Sequence, residues 1–184
     1  MSESRKRRRS DGRARTYQNA RRLGWLFSLL VTIAVLCLVF FVWLTPVQIV
    51  DESMAPALNS KEIVLCDQIG KFVHLPERGD IVLFSTEDGV FIKRIVGMPG
   101  ETVELVAGHV YINSIPLDES SYFVNYVGDM PPVEVPAGCV FVLGDNREEM
   151  YDSRLASVGS IPYDRIQAVL RFRVSPLSRI TYFS

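Results

Sequence analysis

The chain has 184 residues, 48% of them hydrophobic, with 20 Lys/Arg against 21 Asp/Glu and a formal net charge of −1. The part of the chain from Thr45 onward is the right size for one domain with a small appended lobe. Three cysteines are too few for a disulfide scaffold, and His74 and His109, lone residues in unlike contexts, argue against a metal site.

The charge is unevenly spread. Residues 1–23 hold nine Lys/Arg (Arg5, Lys6, Arg7, Arg8, Arg9, Arg13, Arg15, Arg21, Arg22) against Glu3 and Asp11, leaving a net charge of −8 for the rest. A basic flank could bind anionic lipid or nucleic acid, but the apolar run directly after it gives it a better explanation. Gly24–Leu44 is uncharged over 21 residues, and as a helix would span roughly 31 Å, enough for a bilayer core. Trp25 and Trp43 lie near its ends, as interfacial anchors do. The run is too long for a core helix. No small-x-small pair precedes its close at Val42-Trp43-Leu44-Thr45-Pro46, so it reads as a retained anchor rather than a cleaved leader.

The predicted organisation is therefore a basic cytoplasmic tail (1–23), a transmembrane helix (24–44) and an outer domain (45–184) placed by the positive-inside rule. The lipid bilayer is a predicted partner. The acidic outer domain makes nucleic acid a poor one. Only eight residues separate Leu44 from Ser53, a reach of about 30 Å, which keeps Ser53 near the outer membrane surface.

The outer domain reads as mainly β. Alternation and turn signals predict strands at Val47–Val50, Ile63–Asp67, Asp80–Ser85, Gly89–Gly97, Thr102–Val106, His109–Ile112, Val133–Val135, Val140–Leu143 and Ala168–Val174. Residues 113–134, with Asp-Glu-Ser-Ser and Gly-Asp-Met-Pro-Pro, read as a loop-rich insert.

Chemistry enters with Ser53 and Lys93. In the strand Gly89–Gly97, alternation puts Lys93 on a face with Phe91 and Ile95, and Arg94 on the other face with Ile92 and Val96. Desolvation there would favour the neutral amine, the usual route to a lysine base. Ser53, in Val50-Asp51-Glu52-Ser53-Met54-Ala55-Pro56, is the candidate nucleophile, and a Ser-Lys dyad is an established acyl-transfer arrangement. Gly144-Asp145-Asn146-Arg147 and Asp152-Ser153-Arg154 come after a predicted strand and, on composition, read first as a well-tied turn. Cys66 and Cys139 lie in the outer domain, where a disulfide would be permitted but is not demanded.

Four blocks together carry a resemblance. Ser53-Met54-x-Pro56-x-Leu58, Gly79-Asp80-Ile81-Val82-Leu83-Phe84, Ile92-Lys93-Arg94-Ile95-Val96-Gly97-x-Pro99-Gly100, and Gly144-Asp145-Asn146-Arg147 with Asp152-Ser153-Arg154 occur in the order and spacing of type I signal peptidases. Val135-Pro136-x-Gly138 and Phe172-Arg173 to Pro176-Leu177 extend the likeness, which covers nearly all of the chain from Val47. The single amino-terminal anchor resembles the short members of that family.

The resemblance implies a mainly antiparallel β domain, shared in its catalytic core with self-cleaving LexA-type repressors. It implies an endopeptidase that removes signal peptides from exported preproteins at a bacterial cytoplasmic membrane, with no metal or organic cofactor. Carried over by position, Ser53 is the nucleophile, its N–H part of the oxyanion hole, and Lys93 the general base. By the same resemblance, Asp145, Arg147, Asp152 and Arg154 match family positions that brace the lysine region. Ile49, Val50, Met54, Phe91 and Ile92 are candidates to line the pockets for the small side chains before the cut.

Two positions depart from the family pattern. Met150 stands where many members have a serine that hydrogen-bonds the lysine. Asp51 stands where members have Ser or Gly beside the oxyanion hole, so its carboxylate must point away, be protonated or be paired. Two rival readings arise. One is a weakly active or non-cleaving relative that assists pilus or secretion assembly, favoured by Asp51 and Met150 and opposed by the intact dyad. The other is a LexA-like self-cleaving sensor, opposed by the membrane run in place of a DNA-binding module.

Overall fold

Antiparallel pairing accounts for every strand ladder in the computed structural model, which describes residues 23–40, 43–70, 74–122 and 128–183. The chain divides into two units, residues 1–42 and 43–184. In the first, helix α1 (Leu23–Phe40) is long and apolar enough to cross a membrane, and its side chains are exposed. The basic tail to Arg22 lies outside the described residues, as do Phe41 and Val42.

Among its described residues the second unit has twelve strands in chain order: β1 Leu44–Gln48, β2 Ile63–Asp67, β3 Ile81–Thr86, β4 Gly89–Gly97, β5 Thr102–Val106, β6 His109–Ile112, β7 Ile115–Pro116, β8 Met130–Glu134, β9 Cys139–Leu143, β10 Ile161–Pro162, β11 Ile166–Ser175 and β12 Thr181–Tyr182. The larger sheet runs β1-β2-β11-β3-β4-β9-β10 with β12 paired to β11, and the smaller runs β7-β6-β5-β8.

Several boundaries differ from the sequence expectation: β3, β9 and β11 are shifted or extended by one or two residues at their ends, and larger differences fall at β1 and in residues 113–134. Leu44, predicted as the end of the membrane run, opens β1 opposite Asp67, and β1 stops at Gln48 rather than reaching Val50. Leu44 and Thr45 find ladder partners in β2, an option that hydropathy cannot register. In the predicted loop-rich 113–134, Ile115–Pro116 and Met130–Glu134 are strands, while Phe123–Val127 lie outside the described residues. The β8 prolines Pro131 and Pro132 read as turn formers, yet β8 is an edge strand, where a missing N–H costs no ladder bond. Strands β7, β10 and β12 have two residues each, too short for a period-two signal.

Three apolar clusters hold the strands. One gathers Ile49, Met54, Leu58, Val64, Cys66, Ile81, Ala168 and Leu170, with Ile92 against it. The second gathers Val82, Phe84, Ile95, Val140, Val142, Ile161, Ile166 and Val169, with Phe91 against it. The third joins the two sheets through Val96, Val103, Leu105, Val110, Ile112, Val135, Phe141 and Leu143. Burying each such aliphatic or aromatic side chain contributes about 1.5–3 kcal/mol. The cross-strand partner of Lys93 is Val82, a member of the second cluster that also receives Phe91 and Ile95, so the lysine lies on the apolar face that alternation assigns to it.

Candidate active site

Ser53 sits in the turn after β1. The turn closes on itself through Ala55 N–H to the Glu52 carbonyl (3.1 Å) and Leu58 N–H to the Met54 carbonyl (2.8 Å), while the Met54 and Leu58 side chains root it in the first cluster. Two arginines clamp its far end. Arg173 Nη1 donates to the Ala57 carbonyl (2.5 Å) and Arg179 Nη2 to the Pro56 carbonyl (3.0 Å), and both pair with buried Glu62. The near end is fixed by the block after β9: Asn146 N–H donates to the Ser53 carbonyl (3.0 Å) and Asn146 Nδ2 to the Glu52 carbonyl (3.3 Å). Gly144 makes that approach possible, because a Cβ there would lie 2.7 Å from the Ser53 carbonyl oxygen.

Lys93 meets the serine. Its Nζ donates to Ser53 Oγ at 2.5 Å, with Ser53 3% and Lys93 1% exposed. Burial pushes the lysine below its ordinary value, against the upward pull of Asp51, Asp152 and Glu149, with Arg154 adding to the depression. Ser53 Oγ in turn donates to Asp51 Oδ1 (2.8 Å), and the Ser53 N–H donates to the same oxygen (3.1 Å).

The charged residues after β9 form a buried frame around this pair. Asp152 accepts from Arg154 Nε and Nη2 (each 2.9 Å) and from the Gly144 N–H (3.2 Å). Arg154 Nη1 reaches the Arg147 carbonyl (3.0 Å). Asp145 takes both prongs of Arg94, at 2.8 and 2.7 Å, so the residue next to Lys93 is anchored to the same block. Burial pushes the Asp145 carboxyl up, and the Arg94 guanidinium pulls it back toward ionisation. Tyr122 stacks over Arg94 with its ring centre 4.1 Å from Cζ. Arg147 donates through Nε to the Gly144 carbonyl (2.8 Å) and pairs with Glu119.

A family model described as signal peptidase, peptidase S26, matches residues 22–175. The chain belongs to the signal peptidase family. Its class of activity is that of a serine endopeptidase, as in relatives named signal peptidase I. It is 38% identical to a signal peptidase I of Leptolyngbya laminosa over 66% of this chain and 65% of that protein. It is 32% identical to signal peptidase I S of Bacillus subtilis over 72% and 78% of the two chains. A probable signal peptidase I-1 of Synechocystis is 33% identical over 82% and 81%. The crystal structure of a signal peptidase I from Enterococcus faecalis aligns with a TM-score of 0.45 at 32% identity, covering 53% of this chain and 97% of that one.

In this signal peptidase family member, the site residues named from the sequence fall into separate groups. Ser53, Lys93 and Asp51 are in direct contact. Asp145, Arg147, Asp152 and Arg154 surround them, though Asp145 takes Arg94 and Arg147 takes Glu119 as ion-pair partners. Of the pocket candidates, Ile49 and Met54 are buried in the first cluster, Phe91 and Ile92 are partly exposed, and Val50 is 86% exposed. Phe91 also stacks on Tyr151 at 4.1 Å. Met150 is 47% exposed.

Residues the sequence did not single out are Arg94, Glu119, Glu62 and Arg179. Arg94 could have been flagged as a cation placed between Ile92 and Val96, and Glu119 had no signal in its Asp-Glu-Ser-Ser stretch. A separate cavity of about 400 Å3 between the β3–β4 turn and Ser157–Arg165 includes neither Ser53 nor Lys93. Cys66 and Cys139 are free thiols, and burial pushes that of Cys66 up to about 12. Among the described residues no group of three His, Cys, Asp or Glu is placed to hold a metal.

Proposed function

We propose that this chain is a membrane-anchored serine endopeptidase that removes signal peptides from exported preproteins, with Ser53 as nucleophile and Lys93 as general base. The observation that carries the reading is the 2.5 Å contact between Lys93 Nζ and Ser53 Oγ in a buried setting. A lysine whose pKa burial lowers is available as a neutral amine nearer to physiological pH than an exposed one.

The reaction runs in two halves. Ser53 Oγ attacks the scissile carbonyl while Lys93 takes its proton; the C–N bond breaks, Lys93 returns the proton to the leaving amine, and an acyl-enzyme remains. Water then gives a proton to Lys93, its oxygen attacks the ester, and Ser53 Oγ leaves with the proton restored. The Ser53 N–H is a donor for the oxyanion in both halves.

The strand register suggests where the preprotein lies. The β4–β9 ladder covers Arg94 to Gly97, so among the described residues β4 residues 89–92 pair with β3 alone, and an extended substrate segment can add to that edge just ahead of Lys93. Helix α1 would hold the domain at the membrane where signal peptides reside. The charge bias of the basic tail supports an orientation with residues 1–23 in the cytoplasm and the catalytic domain outside, and the family likeness supports the cytoplasmic membrane of a bacterial cell.

The test is cleavage of a preprotein with a small-x-small signal site by the detergent-solubilised full chain, beside Ser53→Ala and Lys93→Ala. Wild-type cleavage after the small residue, with both variants reduced at least about a thousandfold, supports the reading. A wild type that binds the preprotein without cutting it makes the non-cleaving assembly factor the better account.

A further inference from the structure

One carboxylate oxygen, Asp51 Oδ1, accepts both the Ser53 N–H (3.1 Å) and the Ser53 Oγ–H (2.8 Å). These are the two groups that the peptidase reading needs free. The N–H must face the developing oxyanion, and the hydroxyl proton must go to Lys93. An aspartate bonding the N–H two residues on is a common way to tie a turn. Tying a turn does not require the hydroxyl as well, and it is the hydroxyl bond that turns the serine proton away from the lysine. With that proton aimed at Asp51, Lys93 stands as donor rather than acceptor toward Ser53 Oγ.

Resting on the peptidase reading, we propose that Asp51 is an internal occupant of the oxyanion site: its carboxylate holds the Ser53–Lys93 pair in a resting protonation state and must be displaced by the substrate carbonyl before acylation. Two effects act together. The carboxylate fills the position from which the Ser53 N–H would stabilise the transition state, and an anion there would repel a forming oxyanion. Its charge also favours the ammonium form of Lys93, the form that cannot act as base. Among the charges that face Lys93, Asp51 leads those that oppose the effect of burial, ahead of Asp152 and Glu149, with Arg154 acting in the other direction. Asp145 also faces the lysine but is engaged by both prongs of Arg94. Asp152 and its Arg154 partner are locked into the frame, whereas Asp51 lies exposed on the turn.

The experiment uses the full chain in detergent, as wild type, Asp51→Gly and Asp51→Asn. Glycine removes both occupant and charge, while asparagine keeps an acceptor of the same shape and removes only the charge. The chain has four lysines, Lys6, Lys61, Lys71 and Lys93, so NMR of protein labelled at lysine Cε, assigned with Lys93→Met, follows the titration of Lys93 without any need for cleavage. In both Asp51 variants Lys93 is expected to titrate at lower pH than in wild type.

In the cleavage assay, Asp51→Gly is expected to raise kcat/KM about tenfold or more at neutral pH, with the acid limb of the profile moved to lower pH. Asp51→Asn is expected to move the limb with a smaller gain in rate. If Asp51→Gly does not fold, the Asp51→Asn titration decides the matter alone. An unchanged Lys93 titration overturns the proposal, as does a tenfold loss of kcat/KM in Asp51→Gly with an unmoved acid limb, which would make Asp51 a required positioning residue. A lowered titration in proteins that cut nothing supports the resting-state role of Asp51 and counts against the peptidase reading instead.

Discussion

The small sheet and the lysine end of the large sheet bury their residues in opposite ways. Strands β5 and β6 turn Val103, Leu105, Val110 and Ile112 inward and leave Glu104, Tyr111 and His109 less buried, an ordinary half-apolar ladder. Where β4 meets β9, by contrast, Lys93, Arg94, Asp145, Arg147 and Asp152 are all buried within a few residues of one another. Buried ion pairs rarely stabilise a fold better than apolar packing of the same volume. The polar frame is therefore best understood by what it positions. It holds the Ser53 carbonyl against Gly144 and Asn146, and through Arg94 it fixes the strand segment that carries Lys93.

The largest effect that separates the two regions comes from Asp145→Ala. It leaves Arg94 buried without its bidentate partner, which costs about 3–5 kcal/mol of stability, and it releases the neighbour of Lys93. Stability by denaturant unfolding and turnover of the folded fraction are expected to fall together. In the small sheet, Leu105→Ala is expected to cost about 2–5 kcal/mol while the folded fraction keeps its kcat. A Leu105→Ala protein that is folded but slow would show that the small sheet also shapes the site.

The contrast also marks what the residues disclose beforehand. Lys93 is legible because a lysine between Phe91 and Ile95 in a strand breaks an apolar pattern, and the ordered blocks around Ser53 and Gly144 carry the family. The small sheet's β5 and β6 are legible because they alternate cleanly. Glu119 is not, since a single acid in a polar loop has no periodicity to violate, yet it closes the pair with buried Arg147. The Arg173–Glu62–Arg179 clamp is assembled from segments over a hundred residues apart, beyond any local pattern. For Asp51 the sequence allows three states, and only the folded turn shows its oxygen on both protons of Ser53.

A smaller pair of changes applies the same steric insult to each region. Gly97→Ala would place a Cβ 2.5 Å from Val103 Cγ2 and 2.9 Å from Phe141 Cβ, where β4 crosses to the small sheet, and Gly144→Ala would place one 2.7 Å from the Ser53 carbonyl oxygen. Overpacking by Gly97→Ala is expected to cost about 1–3 kcal/mol of stability, with turnover unchanged once folded. Gly144→Ala pushes on the backbone of Ser53, the proposed nucleophile, and a displacement near 1 Å there is expected to cost about a hundredfold in rate. Equal losses of kcat/KM in the two variants would erase the distinction between a packing region and a positioning region.

The gentlest test is Lys93→Met, which keeps the volume and removes the charge. Because burial lowers the pKa of Lys93 in the folded chain, the unfolded chain binds more protons between that lowered value and the ordinary lysine value of about 10.4. In the wild type, stability therefore rises with pH across that window. Below it the folded state carries the full cost of a buried ammonium. A methionine at this position has no such cost, so the variant is expected to melt higher than wild type at pH 7, by a margin that shrinks as pH climbs toward the unfolded lysine value. Activity is expected to be lost throughout. A margin that stays constant with pH would mean that packing alone sets it, and that the Lys93 pKa is not lowered in the folded state. A wild type more stable than the variant at pH 7 would mean that Asp51, Asp152 and Glu149 more than offset the desolvation. The polar frame would then support the fold as well as the chemistry, and the contrast with the small sheet would be one of composition only.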